Sequence, residues 1–217
     1  IHLNDFSPFD KKFDKVWIDM EKANNLGIKV ILMIGGAGGA YTSLFEDFEF
    51  YYNLLFNLIK EKTCIKGIDL DVEENVSINN IKMLISRINK DFGNDFIISM
   101  APIQSSLQYD NPGMGGFIYK DLLNSKEGKF INYFNGQFYY DYSLNAYNQV
   151  INNKYTPEKI VMGMIASDDK TITKNFEQIK LIYNKYDNKF GGIFLWEYYL
   201  YPDFVEKSLN IFNKINL

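Results

Sequence analysis

Three carboxylates alternate with aliphatic residues in the stretch 66–75, KGIDLDVEEN. In a strand, successive side chains point to opposite faces, so Asp69, Asp71 and Glu73 line one side and Ile68, Leu70 and Val72 the other. Like charges this close on an otherwise apolar strand cannot all ionise, and a proton is held on at least one of them at neutral pH. A carboxyl group that keeps its proton is a general acid. A solvated acidic face on an exposed edge strand would give the same alternation. The other strand-forming runs are continuously apolar, as buried parallel strands are, and this favours chemistry over solvation.

The elements that must position these groups alternate between strand and helix with a period of roughly 30 residues, the rhythm of βα units. A short strand is predicted over 2–6. A helix follows over 14–25, with Val16, Trp17, Met20 and Ala23 on one stripe and Gly27 as its C-cap. The apolar run 29–34 reads as a covered strand and empties into Gly35-Gly36-Ala37-Gly38-Gly39-Ala40. A helix over 48–62 buries Tyr51, Leu55 and Leu58, the acidic strand comes next, and Ser77 caps a helix carrying Ile78, Ile81, Leu84, Ile85 and Ile88.

Residues 96–101 form the next strand, with Met100 and Gln104 at its C-terminal end. A loop at 111–116 and a short helix at 119–123 lead to a strand at 133–139. Strands at 159–166 and 191–196 flank a helix at 173–187 that bears Phe176, Ile179 and Ile182, and a helix at 203–214 closes the chain. The strands number seven.

The 217 residues suffice for one large core. A net charge of −4 with no basic cluster disfavours a nucleic-acid groove. Cys64 is the sole cysteine and His2 the sole histidine, which leaves no intrachain disulfide, argues against a zinc site and makes a Ser-His-Asp triad remote. The apolar runs are shorter than the ~20 residues a membrane span needs. The glycine run fits neither GxGxxG nor GxxxxGK[ST], so a phosphate cradle is not indicated. Asn75-Val76-Ser77 matches a glycosylation sequon but follows the acidic strand so closely that the match is read as fortuitous.

GIDLDVE, residues 67–73, resembles the DGxDxDxE signature of the family 18 glycoside hydrolases, the chitinases and endo-β-N-acetylglucosaminidases, with Lys66 in place of the first Asp. The resemblance implies Glu73 as acid/base, Asp71 as the assisting carboxylate and Asp69 as a proton partner behind them. Gly35 and Gly36 fall on the family's SxGG motif, where Met33 replaces the Ser. QFY at 137–139 resembles the sixth-strand motif, which implies that Tyr139 contacts the acetamido group with Gln137 beside it, while Tyr140 stands where relatives often have Asn. GGIFLW at 191–196 resembles the eighth strand, whose Trp, here Trp196, floors the sugar site. Met100 and Gln104 are placed near the sugar ring on the same basis.

The implied fold is an α/β (β/α)8 TIM-type barrel, a single catalytic domain over 1–217. Because the matched motifs belong to the third through eighth strands, the first βα unit is expected to be missing and the domain N-terminally incomplete. The implied activity is cleavage of a β-1,4 bond after N-acetylglucosamine in an oligosaccharide or polysaccharide, by substrate-assisted retaining catalysis without metal or organic cofactor. HLNDFSPFD and the compact chain tilt the resemblance towards the endo-β-N-acetylglucosaminidases. A monomer without nucleic-acid or membrane partners is expected, and secretion is expected from the family. Two alternatives stand beside this reading. One is a catalytically weak or inactive chitin- or N-glycan-binding barrel of the same family, and the other a Mg²⁺- or Mn²⁺-dependent barrel enzyme with Asp69, Asp71 and Glu73 as ligands.

Overall fold

Local signals account for most of the elements in the computed structural model, which describes residues 1–215. The chain falls into two compact units, the first of Ile1–Met100, Met114–Phe117 and Leu122–Asn132, the second of Ala101–Gly113, Ile118–Asp121 and Tyr133–Leu217.

The first unit runs α1 (Asp14–Asn25), β1 (Val30–Gly35), α2 (Ala40–Glu46), α3 (Phe48–Glu61), β2 (Ile65–Asp71), α4 (Ile78–Phe92) and β3 (Ile97–Met100). Its strands are parallel and ordered β1-β2-β3, with Met33, Asp69 and Ser99 in one register row. Parallel neighbours need long crossovers, and the helices supply them. The Ser77 hydroxyl accepts from the Asn79 N–H to start α4, and Ile81, Leu84, Ile85 and Ile88 form its fully buried stripe. Asp47 starts α3 in the same way. Cys64, in the turn before β2, is buried.

Gly67 shows why the acidic strand carries a glycine. A Cβ there would lie 2.6 Å from Ile31 Cδ1 on β1 and 2.6 Å from the Ile97 carbonyl oxygen on β3. Both neighbouring strands therefore close on β2 only because this residue has no side chain.

The second unit runs α5 (Gln104–Tyr109), β4 (Tyr133–Gln137), α7 (Leu144–Asn152), β5 (Ile160–Ile165), α8 (Asp169–Tyr186), β6 (Gly192–Trp196) and α9 (Phe204–Ile215); α6 (Tyr119–Leu123) lies where the chain passes back to the first unit. The strands are again parallel, ordered β4-β5-β6. Ser143 and Asp168 cap α7 and α8, and Ile172, Phe176, Ile179 and Ile182 form the buried stripe of α8. No helix among the described residues is long and apolar enough to cross a membrane.

Several expectations are corrected. Residues 2–6 do not form a strand. Leu3 and Phe6 pair with each other across a tight turn in which Asn4 has φ +52°, because Asn-Asp bends the chain before an extended run can develop. The described residues thus hold six strands in place of seven. Tyr52, not Tyr51, faces the core from α3, since one residue turns the helix face by about 100°. The α8 helix begins at Asp169, a turn before Thr173, because the Asp168 side chain accepts the Thr171 N–H. The short helices α2 and α5 occupy stretches to which the sequence reading assigns no element.

Candidate active site

The carboxylates sit where β2 runs out. The ladder ends at Asp71, so Asp69 and Asp71 project from the strand while Glu73 lies two residues beyond it, half-buried and outside the sheet's hydrogen bonding. Asp69 is 3% exposed, and its Oδ1 accepts a 2.6 Å hydrogen bond from the hydroxyl of its register partner Ser99. Asp71 is 8% exposed. Burial, with the charges of Glu73 and Asp69 adding to it, pushes the Asp71 carboxyl up to about 7. A proton is therefore available on this row near neutrality.

Gly35 and Gly36 close one side of this group. The Gly36 N–H donates to the Asp71 carbonyl at 3.0 Å, and a Cβ on Gly36 would lie 3.8 Å from Asp71 Oδ2. At Gly35, φ is +106° and a Cβ would fall 2.0 Å from the Asp71 carbonyl oxygen, so no other residue fits. Met33, in the row of Asp69, is exposed on β1. Met100 is completely buried beside its register partner Leu70, so its side chain fills the core.

In the second unit, Tyr139 and Trp196 come together. Tyr139 lies on the bend after β4 and Trp196 ends β6, with ring centroids 6.0 Å apart and planes inclined by 24°. Trp196 is 51% exposed and the bond to Glu197 is cis. Gln104 is the first residue of α5 rather than the end of a strand, and its side-chain amide pairs with the backbone of Asp141, donating to the carbonyl at 3.2 Å and accepting from the N–H at 3.3 Å. That pairing fixes the segment that follows Tyr139. Gln137 Nε2 donates to the Ala101 carbonyl at 2.9 Å. Tyr140 is 99% exposed.

Two contributors are not among the residues singled out in the sequence. Ser99 was visible as the one polar residue in FIISMA. Glu74 carried no local signal, because its partners are Tyr41 and Thr42, more than thirty positions upstream. Among the described residues, no three of His, Cys, Asp and Glu are grouped so as to hold a metal ion, the row of Asp69, Asp71 and Glu73 included.

No protein-family model and no curated protein matches the sequence. Solved structures do. A fungal endo-β-N-acetylglucosaminidase from glycosyl hydrolase family 18 is 32% identical, with 91% of this chain and 74% of that one covered at a TM-score of 0.82. A chitinase from Aspergillus fumigatus is 29% identical over the same shares of each chain, at a TM-score of 0.83. A chitinase from Rhizomucor miehei, 15% identical, shares the fold over 94% of this chain and 88% of its own at a TM-score of 0.67. Identity at this level, over most of both chains and with the acidic strand built as described, makes this protein a member of glycoside hydrolase family 18.

Proposed function

We propose that the protein hydrolyses a β-1,4 bond following N-acetylglucosamine, in chitin-type chains or in the chitobiose core of N-glycans, with retention of configuration. The observation that carries this reading is the row Asp69, Asp71 and Glu73 at the end of β2, with Asp71 held near neutrality by burial and by its acidic neighbours. The succession of strand and helix in both units, and the match over 91% of the chain, support a (β/α)8-type barrel as the parent fold.

The row's proton passes from Asp71 to Glu73, which donates it to the leaving glycosidic oxygen as the anomeric C–O bond breaks. The substrate's acetamido oxygen forms the new bond to the anomeric carbon, which yields an oxazolinium. Asp71, as its carboxylate, accepts the acetamido N–H and offsets the positive charge, an interaction that gains strength where water is scarce. Water then attacks the anomeric carbon as its bond to the acetamido oxygen breaks and the acetamide is released, and the water gives its proton to the Glu73 carboxylate, restoring the acid. Asp69, braced by Ser99, acts behind Asp71 as a proton partner. Tyr139 orients the acetamido carbonyl, and the indole of Trp196 receives the C–H face of the pyranose.

Glu73→Gln removes the acid without changing its shape and lowers turnover of a chromogenic chitobioside by at least about a hundredfold. Full turnover in that variant would reject the assignment. A sugar-binding barrel of the same family is the alternative, and the acid retained at Glu73 favours the enzyme. Incubation of the protein in parallel with chitin oligomers and a high-mannose glycoprotein distinguishes the two substrate classes, with cleavage of neither as the outcome the binding reading expects.

A further inference from the structure

The proposed acid Glu73 stands outside the ladder of β2, and a catalytic group on coil backbone needs some other restraint. The chain supplies one at the next residue. Glu74 Oε1 accepts the Tyr41 N–H at 2.8 Å, and its Oε2 accepts the Thr42 N–H at 2.8 Å and the Thr42 hydroxyl at 2.6 Å. Tyr41 and Thr42 are the second and third residues of α2, the positions whose amides an N-cap side chain ordinarily satisfies. The residue at the N-cap is Gly39, with φ +80° and no side chain to offer. Glu74 therefore caps α2 from 35 positions away in sequence.

The contacts close a circuit. The Tyr41 hydroxyl donates to the Ile34 carbonyl on β1 at 2.9 Å, and its ring fills the space over Gly35. Gly36 returns a hydrogen bond to the Asp71 carbonyl. The two residues on either side of the segment Val72-Glu73 are thus tied to one loop-and-helix element, Asp71 through Gly36 and Glu74 through α2. We propose that Glu74 is a positioning residue, which clamps the backbone of Glu73 to the start of α2 and so sets where the acid's carboxyl group is delivered. The proposal rests on the assignment of Glu73 as the acid. Burial pushes the Glu74 carboxyl up, but the Thr42 hydroxyl and the amides of Tyr41 and Thr42 outweigh it and hold the group below the usual carboxylate range, so the clamp stays charged through neutrality.

Glu74→Ala, assayed well below its unfolding temperature on the chromogenic chitobioside, is expected to lower kcat about tenfold or more while KM stays within about twofold, because a small displacement of a reacting group is costly. Thr42→Ala, which keeps both amide bonds, is expected to lose only about threefold and guards against failure of the first variant to fold. A readout independent of turnover is amide hydrogen exchange. In Glu74→Ala, protection at Tyr41, Thr42 and Gly36 falls together, whereas amides in the stripe of α4 keep theirs. Unchanged kcat in Glu74→Ala, or unchanged protection at those three amides, overturns the clamp. If Glu73→Gln is inactive and Glu74→Ala fully active, the clamp alone has failed. If Glu73→Gln remains active, it is the acid assignment that has failed.

Discussion

Each nominated side chain is set by what its neighbours do to it, and the two families of residues are held differently. Asp69 and Asp71 are fixed by burial on a strand, whereas Glu73 is fixed through its successor. Trp196 is half exposed and its ring is shared only with Tyr139 among the described contacts, so it is available to a ligand at little cost to the core. Trp196→Ala is therefore expected to raise KM about tenfold, equivalent to about 1.4 kcal/mol of lost stacking, with the thermal midpoint almost unchanged. Steady-state kinetics together with a melting curve test this, and a large fall in Tm with unaltered KM would assign the indole to packing instead.

At the level of elements, glycine sets the spacing of the strands in the first unit. Gly67→Ala is expected to destabilise the protein by about 2–3 kcal/mol, the upper part of the range for overpacking, because one of the two obstacles is a carbonyl on β3 that cannot rotate away. Urea unfolding followed by circular dichroism measures it, and a cost below about 0.5 kcal/mol would mean the strands can part. Elements whose signals are local were legible in the sequence. Ser77 followed by the 81-84-85-88 stripe announces α4, and the apolar runs announce β1, β3 and β5. What was illegible depends on distance or on a choice between equals. The α2 helix is capped by a residue 35 positions downstream of its glycine, and no local pattern records that. Residues 51-55-58 and 52-55-59 both satisfy helical spacing, so only packing selects Tyr52 over Tyr51. The carboxylate row was readable because a strand's period of two needs no tertiary information, yet the end of the ladder at Asp71 was not, and that is what separates Glu73 from the other two.

For the whole molecule, the raised Asp71 carboxyl is a pH-dependent load on stability. The folded chain holds this proton up to about pH 7, while the unfolded chain releases it near pH 4. The folded state thus binds more protons in that interval, and the contribution of this group is full below about pH 4 and declines as pH rises through 7. Asp71→Asn abolishes this slope, and the variant is expected to gain on the order of 1 kcal/mol over the parent at pH 8 relative to pH 5. Urea midpoints at the two pH values provide the comparison, and parallel changes in both proteins would exclude Asp71 as the source.

Cys64 is the chain's one thiol, sealed in the turn before β2, and burial pushes that thiol up, away from the reactive thiolate. The molecule consequently arrives ready for site-selective labelling. With Tyr140→Cys, a maleimide dye attaches at a fully solvated point one residue from Tyr139, without prior removal of the native sulfur, and its emission tests optically whether an oligosaccharide docks at the neighbouring phenol as proposed.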